Sequence, residues 1–440
     1  MMRFPNRGRG TPTIPPSGIP AWVSSVPTLA WAPISGSSTF MSQATALLGS
    51  GTQWPGTNSI GSIVDAYGDP VIDGTNIYHN GGGHGDGFWN GVLRSDMQTL
   101  GMSVEIAAAP GSCYPAGFPV NNNWPSGRGL DWMRTLAQHD PLDAAFAAPF
   151  SSPRQTHEYG GQATRNKVGV NKRIYWFYGA YKIYDLDART WTTQHEHPQG
   201  GAYITGLVAT RCNIVQPGLG TNIGPTVPLQ QGTMALYDDV TDKFFVTIIP
   251  GDNGGGWRNF FFEYDPVTDT VPNIIRPQQP CRESMTWVKA GRYIYGITSP
   301  YSVPYPNFEI RVGFRFHIDN RTLEYFNVTG QIASFAANGS TQQEAVPYWY
   351  DSNANKLHGW NHWSGDRASI YTLDLATFGT HGGTGTFGDP YLWPQTKQTL
   401  SGTPPSIVSY KYNGIHFIPS WNVAVVFPHS TLAPYAIKMT

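Results

Sequence analysis

The sequence predicts an all-β fold, a single β-propeller whose ring is closed by its own N-terminal strand. Three observations predict it: the composition, a segment that recurs along the chain, and a final repeat that stops one strand short. Of 440 residues, 50 are Gly, 36 Pro, 15 Trp, 23 Tyr and 21 Phe, and only 13% are charged. Aromatic side chains suit a pleated, half-buried surface, and Gly and Pro supply the turns between strands. The charged residues that coat helical surfaces are scarce. All-β chains of this length commonly form one domain.

The recurring segment is a β-rich stretch, an Asp, a tight turn and a Thr. It reads Arg94-Ser-Asp-Met-Gln-Thr99, Tyr184-Asp-Leu-Asp-Ala-Arg-Thr190, Tyr264-Asp-Pro-Val-Thr-Asp-Thr270, Phe316-His-Ile-Asp-Asn-Arg-Thr322 and Thr372-Leu-Asp-Leu-Ala-Thr377. Asp96, Asp187, Asp319 and Asp374 each stand three residues before the Thr. Asp bonds its own backbone at such turns, so each segment predicts the hairpin between a blade's third and fourth strands. Earlier hairpins, such as Ala235-Leu-Tyr-Asp-Asp-Val-Thr-Asp-Lys-Phe-Phe-Val246, supply the first and second strands.

The C-terminal Gly414-Ile-His-Phe-Ile418 and Val423-Ala-Val-Val-Phe427 repeat that hairpin, and the chain ends after one more strand. Leu29-Ala-Trp-Ala-Pro-Ile34 is the expected missing outer strand, and joining the termini removes exposed sheet edges. Six blades are counted, at about 62–105, 155–195, 232–275, 282–328, 344–394, and 413–440 completed by 28–35; a seventh, poorly patterned blade is the alternative. Residues 106–154 and 198–231 lack strand alternation and read as rim insertions, the first with a short helix at 130–139. Residues 1–27 read as an extended arm, with Arg3, Arg7 and Arg9 as its basic residues.

A Gly run closing a second strand, Asn80-Gly-Gly-Gly-His84, with a later Tyr and Trp, resembles the Kelch repeat of galactose-oxidase-type propellers. Asp252-Asn-Gly-Gly-Gly256 echoes it in part. The string Gly81-Gly-Gly-His-Gly-Asp-Gly-Phe-Trp-Asn-Gly91, with Thr156-His-Glu-Tyr159, resembles a propeller group of tailed bacteriophages and their hosts. The resemblance implies a degenerate Kelch-type propeller and a virion role, and assigns no functional residue.

Net charge is −1, which removes the global field that would draw the chain to nucleic acid or to a membrane. Cys113, Cys212 and Cys281 have neither CxxC spacing nor an even count, so they form neither a disulfide framework nor a zinc site. No signal-peptide pattern or membrane span is visible, and cytoplasmic synthesis followed by action in a virion or assembled particle is expected. There is no G-x-S-x-G and no strand-to-helix glycine motif, and no cofactor is implied.

Sorting loops by strand order gathers the polar residues on one rim. Second-to-third-strand loops hold His84, Asp86, Trp89 and Asn90, then Trp257 and Arg258, then His362, Asp366 and Arg367, then His429. Blade-to-blade loops add His157, Glu158, Tyr159, Arg282 and Glu283. Each has a structural alternative: His84 as a backbone cap, the His157–Tyr159 run as a hydrogen-bonded channel lining, Arg282 and Glu283 as a rim pair. His195 and His197 lack a third ligand, so no metal is expected. Rim aromatics with Arg, Asp and Asn suit sugar rings. The expected function is therefore recognition of a surface glycan, with the N-terminal arm contacting other virion proteins. The alternative is a polysaccharide lyase using His84, His157 and Tyr159 as acid and base, and Arg282 against a uronate carboxylate.

Overall fold

The computed structural model describes residues 18–49, 60–65, 70–80, 91–106, 162–176, 182–191, 234–248, 260–268, 270–275, 277–278, 286–297, 311–330, 347–360, 367–406 and 414–440. It is all-β apart from three short α-helices, α1 (Ala21–Ser25), α2 (Phe40–Leu48) and α3 (Ser62–Asp65), and one 3-10 turn among these residues.

Strand β1 (Ala30–Pro33) comes first and is taken up below. Unit one is the meander β2 (Val71–Asp73), β3 (Asn76–Asn80), β4 (Val92–Asp96) and β5 (Gly101–Ile106). Unit two is β6 (Gln162–Arg165), β7 (Arg173–Trp176), β8 (Lys182–Asp185) and β9 (Thr190–Trp191). Unit three is β10 (Ala235–Asp238), β11 (Lys243–Ile248), β12 (Phe260–Asp265) and β13 (Thr270–Ile275). Unit four is β14 (Thr286–Ala290), β15 (Tyr293–Ile297), β16 (Arg311–His317) and β17 (Thr322–Gly330). Unit five is β18 (Tyr348–Asp351), β19 (Lys356–Trp360), β20 (Ser369–Asp374) and β21 (Tyr391–Thr399), followed by the short β22 (Ser401–Gly402). Unit six is β23 (Ile415–Ile418), β24 (Val423–Val426) and β25 (Tyr435–Lys438), and β1 adds to it antiparallel to β25, pairing Trp31 with Ile437.

The packing order of the units is cyclic. Units one and two share a core of Tyr78, Val92, Ile174 and Tyr184. Units two and three meet where the Tyr175 ring lies 4.5 Å from Phe244. Trp287 and Phe314 of unit four pack with Phe245 and Phe261 of unit three. Tyr295 and Phe326 join Leu357 and Trp393 across units four and five, and Trp349 and Trp360 join Ile415 and Val426 across five and six. Val423, Val425 and Phe427 of unit six close the cycle on Ile77 and Leu93 of unit one. Such a cycle of antiparallel meanders fits a β-propeller.

Trp22 of α1 inserts into this last seam, donating from Nε1 to Met97 O at 2.9 Å and lying edge-on to Trp421. Of the expected extended arm, residues 1–17 lie outside the described residues, and Ala21–Ser25 is helical instead. Unit one begins at Val71 rather than near 62, because Ser62–Asp65 forms α3. The α2 helix was not anticipated, although Thr39 accepts from Ser42 N at its start and Gly49 takes φ +74° just past its end.

The recurring Asp needs a correction. The carboxylate that receives its own turn stands at the last position of the third strand. Asp96 accepts from Gln98 N at 2.8 Å, Asp185 from Asp187 N and Ala188 N, Asp265 from Val267 N and Thr268 N, and Asp374 from Ala376 N. In unit two that residue is Asp185 and not Asp187, whose carboxylate accepts from Lys172 N instead. In unit four it is His317, and Asp319 pairs with Arg292. In unit five the turn is a 3-10 turn, Leu375–Thr377, and β21 begins only at Tyr391 and runs past 394 to Thr399.

The extra length of β21 makes a seam. Its first half pairs parallel with β17 of unit four, Phe326 with Tyr391 through Gly330 with Gln395. Its second half pairs antiparallel with β20. Then β22 pairs parallel with β1 of unit six. One continuous stretch thus stitches the outer edges of three units.

Candidate rim site

Which end of each unit faces which way follows from contacts between neighbours. Lys172, entering β7, donates to Asp73 at the end of β2 at 2.7 Å. Arg165 at the end of β6 makes a two-pronged bond to Asp242 in the β10–β11 turn, 2.7 Å at each prong. Arg292 in the β14–β15 turn donates to Asp238 at the end of β10, and Asn353 in the β18–β19 turn donates to Pro419 O before β24. The parallel pairs β17–β21 and β22–β1 give units four, five and six one orientation. The turns between first and second strands therefore share one end, and the second-to-third-strand connections and unit-to-unit links leave from the other.

By chain order alone, the candidate rim residues stand between strands whose connections are of that second kind. His84, Asp86, Trp89 and Asn90 stand between β3 and β4; His157, Glu158 and Tyr159 between β5 and β6; Trp257 and Arg258 between β11 and β12; Arg282 and Glu283 between β13 and β14; His362 and Asp366 between β19 and β20. All of these lie outside the described residues. Arg367 and His429 are described. The carbonyl of Arg367 accepts from Trp360 Nε1 at 2.8 Å, which anchors the end of its connection to β19.

His429 belongs to a polar cluster on the seam between units six and one. Its Nδ1 accepts from Thr431 N at 3.1 Å and faces Thr431 Oγ1 at 2.8 Å. That assigns the ring proton of the neutral form to Nε2, which faces Asp65 Oδ2 at 3.8 Å. Asp65, the last residue of α3, accepts from Ser430 N at 2.6 Å and from Ser430 Oγ. Ser430 O in turn accepts from Met41 N at the start of α2. A Cβ on Gly61 would stand 2.9 Å from Met41 Cε and 3.3 Å from both Asp65 Oδ2 and Ser430 Oγ, so a side chain there would press on the cluster.

Beneath it lies His79, buried on β3 one residue before the Gly-rich connection. Its Nε2 is 3.0 Å from Ser95 Oγ, and its ring meets Phe40 and Phe427 edge-on. The cluster holds Ser, His and Asp, but Ser430 Oγ is spent on Asp65 and makes no bond to His429. It is therefore a brace and not a nucleophile relay, which needs the base on the hydroxyl. Among the described residues no group of three His, Cys, Asp or Glu side chains is placed to hold a metal. Asp65, His79 and Ser430 carry no sequence motif; only the position of His79 beside Asn80-Gly-Gly-Gly-His84 pointed toward them.

No protein-family model matches the chain, and no curated protein matches it. Among solved structures it is similar to a chain of the "Crystal Structure of Mitotic Checkpoint Complex", covering 99% of each chain at 6% sequence identity with a TM-score of 0.40. That likeness is too remote to carry function. No helix among the described residues is long and apolar enough to cross a membrane.

Proposed function

We propose that the chain is a six-bladed β-propeller of degenerate Kelch type that recognises a cell-surface glycan through one rim as a component of a virion or assembled particle. The observation that carries the reading is the shared end. Strand order assigns four His, four acids, three Arg, Tyr159 and two Trp from different units to connections of that end, and Arg367 and His429 are the two of them among the described residues. At the opposite end, charges of the first-to-second-strand turns are spent on one another, as Arg165 is on Asp242 and Arg292 on Asp238. The β20–β21 connection there is long, residues 375–390, and not the short turn expected from the sequence. Sugar rings stack on aromatic faces, and Arg, Asp and Asn supply the directional bonds that select among them. Six meanders in cyclic order among the described residues, the last completed by β1, support a count of six blades over the alternative of seven. Residues 1–17 supply contacts to the other proteins of the particle.

The test is a glycan-array and whole-cell binding assay with the purified chain. Binding is expected for the wild type, with at least a tenfold loss in Trp257→Ala and in Arg258→Ala, since a stacking aromatic contributes about 1–3 kcal/mol. Val168→Ser and Val240→Ser, at exposed turn tips of the opposite end, are expected to bind as wild type. No binding to any surface removes the reading. The second reading, a polysaccharide lyase, rests on strand order assigning His84, His157, Tyr159 and Arg282 to connections of the same kind. Ultraviolet absorbance from new unsaturated ends on acidic polysaccharides, lost in Tyr159→Phe, selects it instead.

A further inference from the structure

His317 occupies the position that aspartate holds in units one, two, three and five. Its Nδ1 accepts from Asp319 N and from Asn320 N, each at 3.2 Å, just as the carboxylates accept from the amides that follow them. The two acceptors differ in one respect. A carboxylate keeps its lone pairs until far below neutral pH, whereas an imidazole nitrogen loses its only lone pair on protonation, within about pH 5–8 for ordinary histidines.

We propose that His317 is an acid-sensitive latch on the contact between units three and four. The turn it caps carries Arg321, which bonds unit three directly, and Asp319, which holds the Arg292 that does so, beside the separate Lys289 ties to Asp238 and Asp239. Asp319 accepts from Arg292 Nε at 2.9 Å and Nη2 at 2.6 Å, while Arg292 Nη1 reaches Asp238 of unit three at 2.7 Å. Arg321, held at φ +60° with its amide on His317 O, bonds Glu263 of unit three at 2.5 and 3.2 Å. Releasing the two capped amides frees the segment between these anchors.

The surroundings fix the direction. Tyr293 stands directly opposite on β15, its ring 4.6 Å from the imidazole and edge-on to it. Arg315, two residues earlier on β16, lies 4.3 Å over that ring and is bonded to Glu324 on β17. From unit five, the uncharged Phe378 ring lies under Arg315. Within the turn are Asp319 and Arg321, and in the β14–β15 turn Arg292. The carboxylate within the turn is Asp319, and both of its oxygens are taken by Arg292. What protonation removes is the one ring acceptor that serves two backbone amides, Asp319 N and Asn320 N. The latch is therefore held by the neutral ring and lost when the ring is protonated, so acid weakens it.

Hydrogen exchange of the full chain at pH 7.5 and 5.5, corrected for intrinsic rates, tests this with His317→Asp and His317→Asn beside the wild type. Protection at residues 318–325 and 289–293 is expected to fall about tenfold more in the wild type than at 186–189, the Asp-capped turn of unit two, which corresponds to one or two net hydrogen bonds. Both variants are expected to abolish the difference, since neither replacement protonates in that range. Equal protection at the two pH values in the wild type, or the same loss in a folded variant, overturns the proposal. The two replacements differ in charge, so a folding defect in one leaves the other as the control.

Discussion

Individual side chains at the turn end act chiefly between units. Arg165 and Asp242 are both nearly buried, and burial alone would raise the Asp242 carboxyl, but the bonds from Arg165 and from Tyr237 OH hold it below its usual value. Asp238 is fully buried. Burial again pushes upward, and Thr241 and Arg292 overcome it, holding the group at about 2. Its share of stability is present above about pH 4 and lost only as pH falls toward 2, below any working range. His416 behaves differently. It sits on β23 with Nε2 shielded and without a hydrogen-bond partner, and burial alone lowers it to about 4. A depressed histidine stabilises the fold above its unfolded value, about 6.5, and loses that share as pH falls from there to about 4, up to about 3 kcal/mol. Urea unfolding at pH 7 and pH 4.5 is expected to show a smaller acid loss in His416→Leu than in the wild type. An unchanged acid loss contradicts the assignment. The exchange experiment on His317 reads a different place, units three and four, so the two effects separate.

At the scale of elements, the seam formed by β21 and β22 depends on two glycines at positive φ. Gly330 (φ +83°) ends β17 where a Cβ would stand 2.8 Å from Gln395 O, and Gly402 (φ +77°) ends β22 where it would stand 2.2 Å from Trp31 O. Gly402→Ala adds a left-handed strain of about 1–2 kcal/mol to that collision. It is expected to open the β22–β1 pair, and faster exchange of the Ser401 amide, which donates to Leu29 O at 3.2 Å, reads this. The β18–β20 hairpins should keep their protection; wild-type exchange at Ser401 in the variant sinks the account of the seam. This seam was invisible in the sequence. Tyr391-Leu-Trp-Pro-Gln-Thr-Lys-Gln-Thr399 reads as an ordinary outer strand, and a parallel partner some 65 positions earlier leaves no local mark. The hairpins were legible because Asp at a strand end and a Thr after the turn act within a few residues. The same rule misplaced the cap in units two and four, since Asp187 and Asp319 keep the spacing to the Thr while Asp185 and His317 bond the turn. The caps of α2, Thr39 and Gly49, were readable, but the polar, Gly-rich flanks masked a helix of nine residues.

For the whole molecule, the closing strand β1 was legible because the last repeat lacks a fourth strand, and the structure pairs it with β25. The wedge that reinforces that closure was not: Trp22 looks like part of a polar, Pro-rich leader, yet it is 5% exposed between units six and one. For the candidate rim, strand order alone assigns each loop to an end, and only Arg367 and His429 of its residues lie among the described ones. Its geometry was legible only at His429, where an unremarked Asp65 and Ser430 take up the polar groups. The central claim is that recognition belongs to one end of the ring. Hydrogen-exchange footprinting of the chain with and without a glycan that scores in the array tests this most directly. Protection confined to the second-to-third-strand and unit-to-unit connections, within 81–90, 107–161, 177–181, 192–233, 249–259, 276–285, 298–310, 331–346, 361–366, 403–413 and 428–432, is the predicted result. Protection at the β6–β7 and β10–β11 turns, around Val168 and Val240, would contradict it.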